Sequence, residues 1–407
     1  MDLHRRISDL ASFLKRYHHF WSEEVINHYP NSLDKFPGDW LETVSSLNSE
    51  TNYALEYEKG YACLSPPSLA EFWQEAQDLS ELDDAGFGEQ EIPAAEFIGV
   101  KKKKQHEIAK ISSVISRLHE QKVICGVTDF CGGAGFAAQT LAHVVRIPVT
   151  SVDRDGELQE SGKKRDKHFR PPGAPAVEYI QADLLQNRAR ATSAVRKNFL
   201  SFGLHTCGEL AATQFSLSLE QNSPAILNFG CCYDRSPTAN TILSAAGKSQ
   251  VLPITSTALT LASRSHREGM ASYLFSKRVR LYRYMIHLFL FHELGIHAFI
   301  SLGNSSHTLY RGSFADYGLE QLRRAGHGEL TNAEQTLAKF FSCPHRQKTV
   351  QQMIAANLLR AVTGRPLEVY ILSDRALYLE ELGYRVKLAA YFDERISPRN
   401  LGILAIH

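Results

Sequence analysis

The chain has 407 residues, 43% of them apolar, with 45 basic and 44 acidic side chains and a formal net charge of +1. That length supports two or three domains with real cores, and the balanced charge excludes a global field that would drive the chain onto nucleic acid or membrane. Seven cysteines, an odd number in a chain this long, argue against a secreted disulfide scaffold.

Residues 1–95 are predicted to form an N-terminal helical domain. Its opening, MDLHRRISDLASFLKRYHHFW, is charged and amphipathic and has no apolar signal core. Leu10, Phe13, Leu14, Tyr17, Phe20 and Trp21 recur at helical spacing, and Pro37-Gly38-Asp39-Trp40 marks a turn before another helix. Trp21, Trp40 and Trp73 all fall in this region and are expected in its core, where their large area is best buried. Residues 78–93 are acidic and glycine-containing and read as a linker. Four lysines, Lys101–Lys104, then precede a helix to about Leu118. Such a run is first of all a solvated face, and here also a candidate contact for a phosphate backbone or a cofactor carboxylate.

Residues 96–254 are read as a nucleotide-binding core. From Val123 onward, strands expected at 123–130, 149–153, 177–181, 199–204 and 225–229 alternate with helical stretches, and a βαβ rhythm implies a parallel sheet covered on both faces. The first strand runs into VTDFCGGAG, residues 127–135, followed by helix-like spacing at 136–145. A strand, a tight glycine turn and a helix start let backbone approach a ligand closely and offer free N–H groups to a polar or anionic group. Asp129, Cys131, Gly132, Gly133 and Gly135 are the candidate cofactor contacts in this turn. Asp153 ends the second strand, where its carboxylate can accept from ribose hydroxyls. Asp183 ends the third, a good position to accept from an adenine amino group.

Gly133-Ala134-Gly135-Phe136-Ala137-Ala138 alone fits a nicotinamide-dinucleotide pattern. Asp129 at the end of the first strand, Asp183 at the end of the third, and the end of the chain disfavour that cofactor. Residues 255–365 read as a helical insertion. Residues 366–407 finish with strands at 384–392 and 401–407 around a turn at 394–400, an antiparallel hairpin at the sheet edge rather than another parallel unit. The apolar segment 285–302 is broken by His287, His292, Glu293 and His297, which makes a poor membrane span. No membrane partner and a cytoplasmic setting are therefore expected.

Several blocks then resemble one family in order: KKQHEI at 103–108, GLHTCGELA at 203–211, NFGCCY at 228–233 and SPRNL at 397–401, with an aromatic Pro-x-x-Trp region near Trp40. Together they resemble the class I S-adenosylmethionine-dependent methyltransferases, in the methyltransferase-like branch that includes proteins named for a ribosomal RNA adenine dimethylase domain. The resemblance implies an α/β, Rossmann-like class I methyltransferase fold, with a seven-stranded sheet ending in an antiparallel hairpin, plus the N-terminal helical domain and the helical insertion. It implies S-adenosyl-L-methionine as cofactor. Gly132, Gly133 and Gly135 would make room for it, Asp129 would lie near its amino group, Asp153 would hold the ribose, and Asp183 with the Leu184 amide would hold the adenine. The CGGA loop at 131–134 departs from the small-Gly-Lys version of relatives.

His205 and Cys207 follow the fourth strand, beside the switch point where open α/β sheets bind ligands. His205 is a candidate general base. Cys207 is a candidate to orient the substrate or carry the methyl group; the alternatives are that these residues line the substrate or cofactor pocket, or that the histidine bonds to backbone and locks the loop. Cys231 and Cys232 with these two resemble a zinc set, but neighbouring side chains on extended backbone diverge, so no metal is expected. His292-Glu293-Leu294-Gly295-Ile296-His297 is one residue too long for a metalloprotease helix and is read as core or interdomain packing. The [DN]-P-P-[YFW] motif of many N6-adenine methyltransferases is replaced by Leu204-His205-Thr206-Cys207, which leaves the acceptor open. RNA or a ribonucleoprotein component leads, through the local basic patches Lys101–Lys104 and Lys163–Arg170, ahead of protein side chains and small molecules. A cofactor-binding assembly module without turnover is the alternative from another class.

Overall fold

The computed structural model describes residues 2–58, 61, 64–238, 241–264 and 269–407; Cys63 lies outside them. Seven strands form one sheet: β1 (Gly126–Phe130), β2 (Val149–Asp153), β3 (Glu178–Gln181), β4 (Phe199–Cys207), β5 (Ala225–Cys231), β6 (Arg385–Ala390) and β7 (Leu401–Ile406). Their order is β3-β2-β1-β4-β5-β7-β6. The first five are parallel, and β7 runs antiparallel between β5 and β6. This is the expected Rossmann-like α/β architecture with a terminal antiparallel hairpin.

Burial explains the strand sequences. Every residue of β1 and β5 is buried, as is nearly all of β2 and β7, so these central strands read as continuous runs. The edge strands β3 and β6 are partly exposed. Val127 and Val149 enter one apolar cluster with Ile108, Ile111 and Ile115 of the Lys102–Glu120 helix, whereas Phe130 and Val152 enter another with Leu184, Ala191 and Ala194. Residues three apart on a strand point to opposite faces, so both sides of the sheet are covered. The chain goes from β1 outward to β3 and then crosses to β4 on the other side of β1. That reversal opens a crevice at the carboxyl ends of β1 and β4.

The residues read as a linker do structural work. Asp84 forms a parallel bridge with Ala390: the Ala85 N–H donates to the Ala390 carbonyl at 2.7 Å and the Ala390 N–H to the Asp83 carbonyl at 2.9 Å. Phe87 stacks on Tyr391 with ring centroids 6.2 Å apart, so this segment is a strap that covers part of the β6 edge.

The chain gathers into two units, one of Met1–Lys15, Leu79–His266 and Arg365–His407, which holds the whole sheet, and one of Arg16–Asp78 and Arg267–Gly364. The second is helical. Trp21, Trp40 and Trp73 are buried in it, and Phe20 packs on Phe36 and Trp40 at 4.6 and 6.0 Å between centroids. Its Pro344–Val362 helix packs against Gly38–Ser46. Stretches read along the sequence as an N-terminal domain and an insertion thus contribute to the same unit. The Gly364–Glu381 helix, inside the segment read as the terminal hairpin, lies almost wholly in the sheet unit. Among the described residues no helix is long and apolar enough to cross a membrane.

Candidate active site

Asp129 is the penultimate residue of β1, at 2% exposure, and among the described residues its Oδ2 meets no hydrogen-bond donor. Burial, and then repulsion from Asp153, push its carboxyl up to about 7 against the pull of Lys104. The loop that follows is shaped by close approach. A Cβ on Gly132 would fall against Ser151 Oγ and within 2.7 Å of Asp129 Oδ2. Gly135 has φ +69°, a left-handed position that also lies against the Tyr179 ring. Between them the Gly133 N–H donates to Asp153 Oδ2 at 2.9 Å. Cys131, at φ +59°, turns the chain out of the strand, and burial pushes its thiol up to about 12.

The other two strand-end acids serve the backbone as well. Asp153 Oδ1 accepts from the Asp155 N–H at 2.9 Å, so each of its oxygens already binds one loop amide and keeps lone-pair capacity for a ligand. Asp183 Oδ1 accepts from Leu185 and Gln186 N–H at 2.8 and 3.1 Å and closes the turn after β3, with Leu184 buried beside it. Each of these two acids thus also holds the loop backbone that follows its strand.

On the far side of β1, strand β4 carries a bulge. Its pairing with β5 shifts register between Leu204 and Thr206, and His205, the extra residue, has φ +61°. Bulges re-aim side chains next to sites. Here His205 Nε2 is brought 3.1 Å from Glu107 Oε1, which also accepts from the Ser397 hydroxyl at 2.6 Å. Burial alone would raise the Glu107 carboxyl. The hydrogen bonds from His205 and Ser397, with Lys103 nearby, hold it instead at about 2. An ionised carboxylate only accepts, so the imidazole proton shared with it belongs to Nε2. Thr206, fixed by the Asn228 side-chain amide at 2.8 Å, anchors the strand behind the bulge.

Cys207 and Cys231 end β4 and β5 with their Sγ atoms 3.4 Å apart, and Cys232 completes a group whose three sulfurs lie within 4.8 Å of one another. Their expected divergence does not occur. Cys232 leaves the strand in the left-handed conformation, φ 49° and ψ 54°, and its side chain turns back toward the other two. The Cys231 S–H bonded to Cys207 pushes the Cys207 thiol down, and Cys231 is pushed up in return.

The structure thus gathers Asp129, Cys131, Gly132, Gly133, Gly135 and Asp153 at one loop, and places His205 and Cys207 across β1 at the end of β4. Glu107 and Ser397 have no assigned role on sequence. Their only signal there is membership of the KKQHEI and SPRNL blocks. Of the basic patches, Lys101–Lys103 are exposed and Lys104 half-buried, and Lys163, Lys164, Lys167 and His168 are exposed. Arg165 is used internally, donating to the Glu96 carbonyl at 2.9 Å and lying over the Phe136 and Phe169 rings. His292 and His297 are exposed rather than packed in a core, because the helix ends at Glu293 before the second histidine.

Over residues 103–236 the chain matches a family model described as a methyltransferase domain. The matched stretch runs from the helix that bears Glu107 through the glycine loop to just past Cys232. With the sheet order, this similarity supports a methyltransferase enzyme.

Proposed function

We propose that the protein transfers the methyl group of S-adenosyl-L-methionine to RNA or to a protein component of a ribonucleoprotein, in a cytoplasmic setting. One observation carries the cofactor reading: the buried Oδ2 of Asp129, which among the described residues has no hydrogen-bond partner, beside a loop that admits no side chain at Gly132. A carboxylate so placed suits an ammonium group, which would offset the cost of its burial. When bound, the cofactor supplies an electrophilic methyl group. Asp129 would accept from its amino group, the Gly132–Gly135 backbone would make room for its chain, Asp153 would hold the ribose, and Asp183 with the Leu184 amide would meet the adenine. Among the described residues six cysteines are free, which suits a reducing compartment.

His205 and Cys207 form the acceptor side. Glu107 orients the imidazole by holding its Nε2 proton, so that the second ring nitrogen can take the proton the acceptor sheds. Two exposed basic strips favour a polyanionic acceptor. The Lys102–Glu120 helix opens on lysines with no acidic residue in its first turn, against its own dipole, and Lys163, Lys164 and Lys167 line the Gly156–Phe169 helix.

Calorimetry against S-adenosylmethionine and NAD tests the cofactor: binding of the first, weakened by Asp153→Ala, is expected, and tight NAD binding instead would sink the reading. Tritiated methyl transfer in a lysate, fractionated into RNA, protein and metabolites with Asp129→Ala as control, tests the acceptor. Label in RNA or ribonucleoprotein protein is expected. Label confined to metabolites removes the macromolecular acceptor, and no label in any fraction favours a cofactor-binding module without turnover.

A further inference from the structure

Cys207, Cys231 and Cys232 are drawn together from two strand ends by an unusual backbone. Cys232 is held at positive φ although it is not glycine, and without that turn its thiol would point away from Cys231. The three sulfurs lie within 4.8 Å of one another and the closest pair is 3.4 Å apart. Thiolates around one tetrahedral ion stand about 3.8 Å apart, given Zn–S bonds near 2.3 Å. The group therefore needs adjustments of a few tenths of an ångström to an ångström to close on a metal. One thiol is buried and two are half-buried, so the cluster is shielded and still reachable.

The charge around the cluster points the same way. Arg399, from the turn before β7, faces Cys231 and Cys232, and Arg235 faces Cys207. Arg399 Nη1 is buried and, among the described residues, meets no hydrogen-bond acceptor. A buried guanidinium nitrogen without an acceptor is costly. Three thiolates with a divalent cation carry a net negative charge, which would compensate it.

We propose that Cys207, Cys231 and Cys232 bind a single thiophilic metal ion, Zn²⁺ or Cu⁺. Binding deprotonates the three thiols and releases their protons to solvent. The ligand set is all sulfur, which selects soft or borderline ions over Mg²⁺ or Ca²⁺. With three protein ligands, a Zn²⁺ ion keeps a fourth position for water or a soft donor, as catalytic zinc sites do. Joining Cys207 and Cys231 in a disulfide is the competing fate, but it needs an external oxidant and leaves Cys232 and its backbone turn without a reason.

The test uses full-length protein purified under reducing conditions from zinc- or copper-supplemented cultures. Elemental analysis is expected to find about one ion per chain, zinc and copper being told apart by the same measurement. Cys207→Ser, Cys231→Ser and Cys232→Ser should each lower the content at least about fivefold, while Cys343→Ser leaves it unchanged. Chelator-treated wild-type protein titrated with Co²⁺ should develop thiolate-to-cobalt charge-transfer absorption that the three variants lack. Circular dichroism identifies any variant that has not folded, and the wild-type readouts stand without variants. Metal-free wild-type protein that gains no such absorption, a Cys207–Cys231 disulfide found by mass spectrometry, or metal retained in all three folded variants would overturn the proposal. None of these readouts depends on the methyl donor, so the two proposals fail separately.

Discussion

A carboxylic acid buried beside a second carboxylate keeps its proton up to about pH 7, and a cationic ligand group is what favours its loss. If Asp129 receives an ammonium, only its ionised form binds well. Donor affinity should then fall about tenfold per pH unit below about 7, and fall again above about 8 as the ligand's own ammonium loses its proton. In Asp129→Asn, affinity should be weaker and the fall on the acid side should vanish, as calorimetry between about pH 6 and about pH 9 will show. A flat profile in the wild type would remove Asp129 from the ammonium contact. If Glu107 acts through His205, Glu107→Gln should lower the methyl-transfer rate about tenfold or more while donor affinity stays the same. Ser397→Ala, which removes one hydrogen bond to the same oxygen, should do less; equal loss of donor affinity in Glu107→Gln would mark a structural role instead. Asp129, Gly132 and Asp153 were legible because strand, turn and helix lie within one short stretch. Glu107 was not, since it meets His205 across 98 positions and Ser397 across 290. The turn at Cys232 was hidden for a different reason: nothing in two adjacent cysteines signals a left-handed backbone.

Between the elements that carry the glycine loop lies a buried charge network of separate purpose. His143, in the helical segment after the loop, places Nδ1 3.0 Å from Glu96 Oε2 and Nε2 2.9 Å from Asp166 Oδ1, with its side chain at 1% exposure. It joins the short Ala94–Phe97 turn to the Gly156–Phe169 helix, and so fixes the helix that follows Asp153. Burial alone would lower the imidazole's affinity for a proton, but the two carboxylates outweigh it and the value is raised. A cation stabilised in the fold contributes fully below its unfolded value of about 6.5, and that contribution is lost as pH rises through the higher folded value. The melting temperature should therefore fall on the alkaline side of neutrality more steeply in the wild type than in His143→Gln. His143→Ala leaves two buried carboxylates facing each other and should cost about 3–5 kcal/mol in denaturant unfolding. A cost under about 1 kcal/mol would mean that water already reaches the pair. The sequence showed neither this bridge nor the strap at 83–87, because both join elements through side chains or single rungs that carry no periodicity.

At the scale of the molecule, the sheet unit is closed by its last strand. β7 pairs with β5 on one side and β6 on the other, so the residues that end the chain hold together strands that are far apart in sequence. Leu401, Ile403 and Leu404 are buried at 4%, 0% and 5% exposure. At about 1.5–3 kcal/mol each, they contribute about 5–9 kcal/mol, comparable to the whole stability of an ordinary domain at about 5–15 kcal/mol. Their loss would also leave β5, buried along its full length, as an open apolar edge. Removing residues 401–407 should therefore abolish donor binding and drive the protein into aggregates, although none of those residues lies at the glycine loop. Removing His407 alone, which is exposed, should do neither. Soluble yield, circular dichroism and calorimetry on the two truncations separate these outcomes. A soluble 1–400 protein that binds the donor with full affinity would show that five parallel strands suffice to hold the site, and that the hairpin serves something other than closure.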